Sequence, residues 1–182
     1  DDLSITAVGD KPVIYDATTN TLVLPGGRAR ALDADGLAPG AVLQMPGPAS
    51  SSVLLATPDS LVSVPLNGSA PTVTPAQEGT SISGTPAPPA FHQGCAYGAW
   101  SSSGAALRQC ESGLTRYTSV ERLAASKHPL FRVNRTRIVL NDIEKDGLWL
   151  PDSDMILVDN WDQLESKLES EKETEDQSVD DI

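Results

Sequence analysis

Short apolar runs separated by turn residues recur along the whole chain, and few of them are long enough for a helix. Leu3 to Val8, Val13 to Tyr15, Thr21 to Leu24 and Arg28 to Leu32 read as four strands, parted by Gly9-Asp10, by the polar stretch Asp16 to Asn20 and by Pro25-Gly26-Gly27. Runs this short, rich in Val, Leu, Ile and Thr and bounded by such turns, form antiparallel strands joined by tight connections. The pattern repeats in Ala41 to Met45, Val53 to Ala56 and Leu61 to Val64, with Pro71 to Thr74 as an outer strand. Proline is tolerated there because an edge strand has free N–H positions.

Gln77 to Pro89, rich in Gly, Pro, Ser and Thr, reads as a display loop. Phe91 opens the next unit, and Leu114 to Val120 alternates as its outer strand. Glu121 to Ala125 suits a short helical turn. Leu130 to Val133, Arg137 to Leu140, Leu148 to Leu150 and Met155 to Val158 then give a last set of strands.

Gly94 to Cys110 is the most informative segment. Folded as a hairpin about Ser101–Gly104, it places Trp100 opposite Ala105, Tyr97 opposite Arg108 and Cys95 opposite Cys110. These are the only two cysteines, and directly opposed residues of an antiparallel pair lie close enough for a disulfide.

The hairpins recur with a period. Ile14 precedes Leu22-Val23, Leu54 precedes Leu61-Val62, Ala96 precedes Ala105-Ala106 and Arg132 precedes Ile138-Val139, with steps of 40, 42 and 36 residues between first members. Four short strands in about 40 residues is the size of a propeller blade. The expected fold is therefore all-β: consecutive antiparallel four-stranded blade-like meanders, a partial β-propeller spanning residues 1–160. A β-sandwich is the alternative. An incomplete ring leaves a blade face exposed for neighbouring blades of the parent chain. From Trp161 the pattern changes: Trp161, Leu164 and Leu168 form one helical stripe, and residues 161–182 read as a short helix and an acidic tail or linker.

Charge narrows the partners. The net charge is −12, of which residues 162–182 carry −7, from nine acids and two lysines. Residues 1–161 carry the remaining −5, from 16 acids and 11 bases. Such a chain attracts neither nucleic acid nor anionic membrane, and no apolar run is long enough for membrane insertion. With a disulfide and an Asp1-Asp2 start, the expectation is a mature fragment of something longer, placed in an oxidising, extracellular compartment.

Motif chemistry is sparse, and no catalytic, cofactor-binding or metal residue is assigned. His92 and His128 are the only histidines and lack neighbours at metal spacing. Asp33 with Asp35, and Asp152 with Asp154 and Asp159, are short of a calcium loop and read as turn residues. Asn67-Gly68-Ser69 and Asn134-Arg135-Thr136 fit the glycosylation sequon at turns. Tyr97 and Trp100 point to opposite faces of one strand, so with Trp149 they read as core rather than as a sugar platform. Glu78, Asp142 and Glu144 are the acids a glycosidase would need in one cleft.

Cys95-Ala96-Tyr97-Gly98-Ala99-Trp100 with Cys110, then Phe131 to Asp142 leading to Asp159-Asn160-Trp161, resembles a known arrangement. It is similar to the region that precedes the tandem repeats in large actinobacterial surface proteins of the fibronectin type III or Ig-like type. The resemblance implies an envelope-attached chain with propeller-like repeats and no known catalytic residues. The functional expectation is a non-enzymatic extracellular scaffold or interaction module of a bacterial surface protein, with an extracellular protein or a cell-wall polymer as partner. A carbohydrate-active enzyme and a periplasmic sensor domain are the alternatives.

Overall fold

A computed structural model describes residues 2–79, 82–144 and 147–158. The expected 161–182 helix and tail lie outside them. Four antiparallel meanders follow one another. The first blade is β1 (Leu3–Val8), β2 (Lys11–Asp16), β3 (Thr21–Leu24) and β4 (Arg28–Ala31). The second is β5 (Val42–Leu43), β6 (Ser52–Ala56), β7 (Ser60–Pro65) and β8 (Thr72–Pro75). The third contains β9 (Thr85–Pro86), β10 (Ala90–His92), β11 (Cys95–Ser101), β12 (Ala105–Cys110) and β13 (Thr115–Ser119), with β9 and β10 sharing one edge of β11. One helical turn, α1 (Glu121–Ala124), leads to the fourth: β14 (Leu130–Asn134), β15 (Arg137–Asp142), β16 (Gly147–Leu150) and β17 (Ile156–Leu157). Within each sheet, strands pair in chain order, as a propeller blade requires and a sandwich does not.

The blades stack through three apolar interfaces. Val8, Val13, Tyr15, Leu22 and Leu24 of the first blade pack on Leu43, Val53, Leu55, Val62 and Val64 of the second. Leu54, Ala56 and Leu61, from the opposite face of the second blade, meet Ala96, Trp100, Ala105 and Leu107 of the third. Tyr97, Ala99 and Ala106 then meet Phe131, Ile138, Leu140 and Trp149 of the fourth. Burial follows position in the stack. In β6 and β11 successive residues are buried on both faces, whereas β2 and β15 bury only alternate ones. A sheet covered on both sides buries every residue, and a sheet covered on one side buries every second.

Two indoles set the spacing near the third and fourth blades. Trp100 folds back over Gly98 and Trp149 over Gly147, each two residues along its own strand. A Cβ added to Gly98 would stand 2.6 Å from Cη2 of Trp100, and one on Gly147 would stand 2.3 Å from Cη2 of Trp149. Real Cβ atoms do not approach that closely, so each Gly-x-Trp triplet is a packing unit: the glycine makes the space that the ring fills.

Three expectations change. Arg132 and Ile138-Val139 lie in β14 and β15, the first and second strands of their blade, whereas the other named pairs lie in second and third strands. The corresponding second-strand positions, Ile14, Leu54, Gly98 and Val139, are 40, 44 and 41 apart. The short last step came from this change of phase, because Phe131 and Ile138 carry the same apolar signature as a second-and-third pair. The Gln77–Pro89 stretch is also not all loop. Thr85-Pro86 pairs with Ser101 and Trp100, Ala87 is buried, and the Gly84 N–H donates to Pro58 O at 2.8 Å. Finally, Leu32 leaves the fourth strand and starts a 3-10 turn, Leu32–Asp35.

Candidate functional site

The hairpin register is as the sequence indicated: Cys95 opposes Cys110, Tyr97 opposes Arg108 and Trp100 opposes Ala105. The Cys95–Cys110 disulfide is formed. It closes the end of the third blade beside a cleft of about 220 Å³ between the second and third blades.

That cleft follows from side-chain size. On the second blade, Leu54 pairs with Ser63 and Ser63 with Thr72, so these three form one row facing the third blade. On the third blade, Phe91 pairs with Ala96 and Ala96 with Gln109, forming the opposing row. Further along, the same interface is filled by Trp100 against Leu54, Ala56 and Leu61. Here Ser63 faces Ala96, and neither is large enough to close the gap. Phe91 supplies a half-buried aromatic wall, with Ser52 and Glu111 also lining the opening. The Thr74 hydroxyl donates to Oε1 of Gln109 at 2.9 Å and fixes the amide, whose nitrogen has no partner among the described residues.

The other candidate groups have structural employment. Asp33 accepts from Nδ2 of Asn20, and Asp35 receives two bonds of 2.7 Å from Arg30. That ion pair raises the Arg30 pKa and leaves no Asp33–Asp35 cation loop. The Asp152 carbonyl oxygen accepts from Arg108 at 2.7 Å, its carboxylate faces Arg137, and Asp154 is an exposed turn residue. Asp159 lies outside the described residues. No group of three or more metal-ligating side chains gathers among the described residues.

His128 is exposed and 3.9 Å from Glu144. His92 is buried, and its Nε2 has no hydrogen-bond partner among the described residues. Strand β10 turns it inward, because the side chain of Phe91 takes the other face. Asn67 Oδ1 accepts from the Ser69 N–H at 2.9 Å and is exposed, while Asn134 ends β14 at a turn whose Arg135 has φ 52°.

None of the three acids lines the cleft between the second and third blades. Glu78 is exposed after β8, far in sequence from the others. Asp142 is fully buried, and its carboxylate accepts the Lys127 N–H at 3.2 Å and the Glu144 N–H at 3.0 Å. Burial opposes its ionisation, but the Ser126 hydroxyl, these two N–H groups and His128 outweigh it and hold the carboxyl below its ordinary range. Asp142 thus anchors a turn. Tyr97, Trp100 and Trp149 are core, each buried in an inter-blade interface. Burial raises the Tyr97 pKa, partly offset by Arg108.

No family profile matches the chain, and no curated protein matches it. Among solved structures, one described as "Streptogramin B lyase structure" is similar, with a TM-score of 0.59 and 13% identity. The match covers 85% of this chain and 52% of that one, so the chain spans about half the neighbour's length. That neighbour is a β-propeller. The fold here is a run of propeller blades. At this identity the likeness carries the fold alone.

The cleft was missed in the sequence because its walls come from two blades. A polar residue, Ser63, inside the apolar run Leu61 to Val64 was the one local sign. The Phe91 ring, which opens the third-blade hairpin, is the aromatic that lines it.

Proposed function

We propose that this chain is a non-enzymatic interaction scaffold of an extracytoplasmic bacterial surface protein, its blade stack continued by neighbouring blades of the same polypeptide. The observation that carries this reading is the outer face of the first blade. Ile5 pairs with Ile14, Ile14 with Val23 and Val23 with Ala29, making one apolar row across all four strands. Ile5 is 70% exposed and Leu3 56%. The far face of the fourth blade matches it, with Val139, Leu148 and Leu150 half-buried and Ile156 57% exposed. On the fourth blade this apolar face also carries Arg132 opposite Val139 and Asn141 opposite Leu148. A further blade is the occupant that continues the existing stack, and the half-length match to a propeller supports it. The disulfide supports an oxidising location, and the use of Asp142 as a turn anchor supports a non-catalytic role.

The test uses a dye that fluoresces on apolar surface. The folded chain is expected to bind it, and Ile5→Lys with Ile156→Lys to remove most of the signal with little change in Tm. Producing the chain with the encoded residues that adjoin it should abolish dye binding and raise Tm. A gene that ends at this chain, or no dye binding by the folded chain, overturns the continued stack. Alkylation of the protein in intact cells, followed by mass analysis, should find Cys95 and Cys110 oxidised; a reduced pair overturns the extracytoplasmic location.

A further inference from the structure

We propose that the cleft between the second and third blades binds one neutral pyranose unit of a polysaccharide. The proposal deepens the interaction-scaffold reading by naming its ligand class, and it rests on that reading for the supply of cell-wall or extracellular glycan.

The argument is one of size and chemistry. At about 220 Å³ the cleft is smaller than the roughly 300–1,000 Å³ of pockets that take drug-sized molecules. It therefore suits a single ring. The third-blade wall presents the Phe91 ring and Ala96, with the Gln109 amide nitrogen and the Glu111 carboxylate beside them. The facing second-blade wall carries Leu54 and the hydroxyls of Ser52, Ser63 and Thr72. A pyranose has the complementary division: a C–H face that packs on an aromatic ring, and a rim of hydroxyls that donate and accept.

Other ligand classes fit less well. No lysine or arginine lines the cleft, and the chain carries −12, so phosphates and free carboxylates have no counter-charge. A calcium ion wants six or more oxygens with several carboxylates, and Glu111 is the sole acid in the lining. Glu111 accepts well from two vicinal hydroxyls, and bonds to a charged acceptor are the stronger kind.

The site is also held in shape before any ligand arrives. Gln109 is fixed by Thr74 across the blade interface, and Cys110, which lines the cleft beside it, is tied to Cys95. Groups held in their bound arrangement lose less freedom on binding.

The experiment is an amide-resolved NMR titration of the folded chain. The probes are the methyl glycosides of glucose, galactose and mannose, and N-acetylglucosamine. At least one should give saturable shifts confined to residues near Ser63, Phe91 and Gln109. Glu111→Gln, an exposed change that leaves the fold intact, should weaken binding about tenfold, the loss of one charge-assisted bond. Ser63→Leu should fill the cleft and abolish the shifts. No saturable shift with any of the four sugars overturns the proposal, as does binding unaffected by both substitutions. A chain that binds the apolar dye at its end faces but takes none of the sugars loses this site and keeps the continued stack.

Discussion

The indole Nε1–H of Trp100 donates to the main-chain oxygen of Thr57 at 2.7 Å, across 43 residues of sequence. The bond is buried and joins the second and third blades at the closed end of their interface, one blade repeat apart. It satisfies two polar groups that no water reaches, while the indole itself fills the space left by Gly98. The same interface, a few residues away, opens into the cleft.

Trp100→Phe keeps most of the apolar volume and leaves the Thr57 oxygen unpaired. It should cost about 1–3 kcal/mol, the penalty for a buried group stripped of its partner. Trp100→Ala should cost about 3–5 kcal/mol through the cavity as well. Urea unfolding of the three proteins measures both. A negligible loss for Trp100→Phe would show that the hydrogen bond contributes nothing of its own.

Gly147→Ala places a methyl group where the Trp149 ring lies. Overpacking of this kind should destabilise by about 1–3 kcal/mol. Combining it with Trp149→Leu should recover part of the loss, because the smaller side chain vacates the space. A double-mutant cycle by thermal unfolding checks the sign: additive losses would mean the ring and the glycine are independent.

Reduction, or Cys95→Ser with Cys110→Ser, opens a crosslink spanning 15 residues. For a loop of that size the loss should be about 3 kcal/mol. Because the register of β11 and β12 is also held by the ladder from Ala96 to Trp100, the folded hairpin should persist. Circular dichroism before and after reduction, with Tm, distinguishes a shifted midpoint from lost strands.

Acid should act through Asp142. Its folded-state carboxyl titrates below the ordinary value, so it stabilises the fold above the unfolded pKa of about 3.9. That contribution fades as pH falls through the folded value, where protonation ends the acceptance from Lys127 and Glu144. The slope of stability against pH below about 4 should be shallower in Asp142→Asn. An unchanged slope, or an Asp142 pKa above the ordinary range by NMR, would contradict this account.

Much of the β architecture is written locally. Turn residues at Gly9-Asp10, Asn67-Gly68 and Ser101–Gly104, with short runs between, dictate meanders, and strand pairing between neighbours in sequence follows from them. The cysteine register was legible for the same reason: both partners sit on one hairpin, and a two-residue periodicity counted from the turn fixes who opposes whom. The phase of the last blade was not, since Phe131 with Ile138 looks like any apolar pair until the strands on either side are placed.

Tertiary structure decided what touches across blades. Whether Val53 and Leu54 are both buried depends on sheets covering both faces, and no window of sequence contains those sheets. The burial of Asp142 beside Lys127, and the meeting of Ser63 with Ala96 and Gln109, bring together residues from different strands or blades. Hydrogen bonding along a hairpin is a short-range effect that the chain encodes in order. The fit of one blade face on the next depends on side-chain volumes summed over distant positions, and only the folded stack performs that sum.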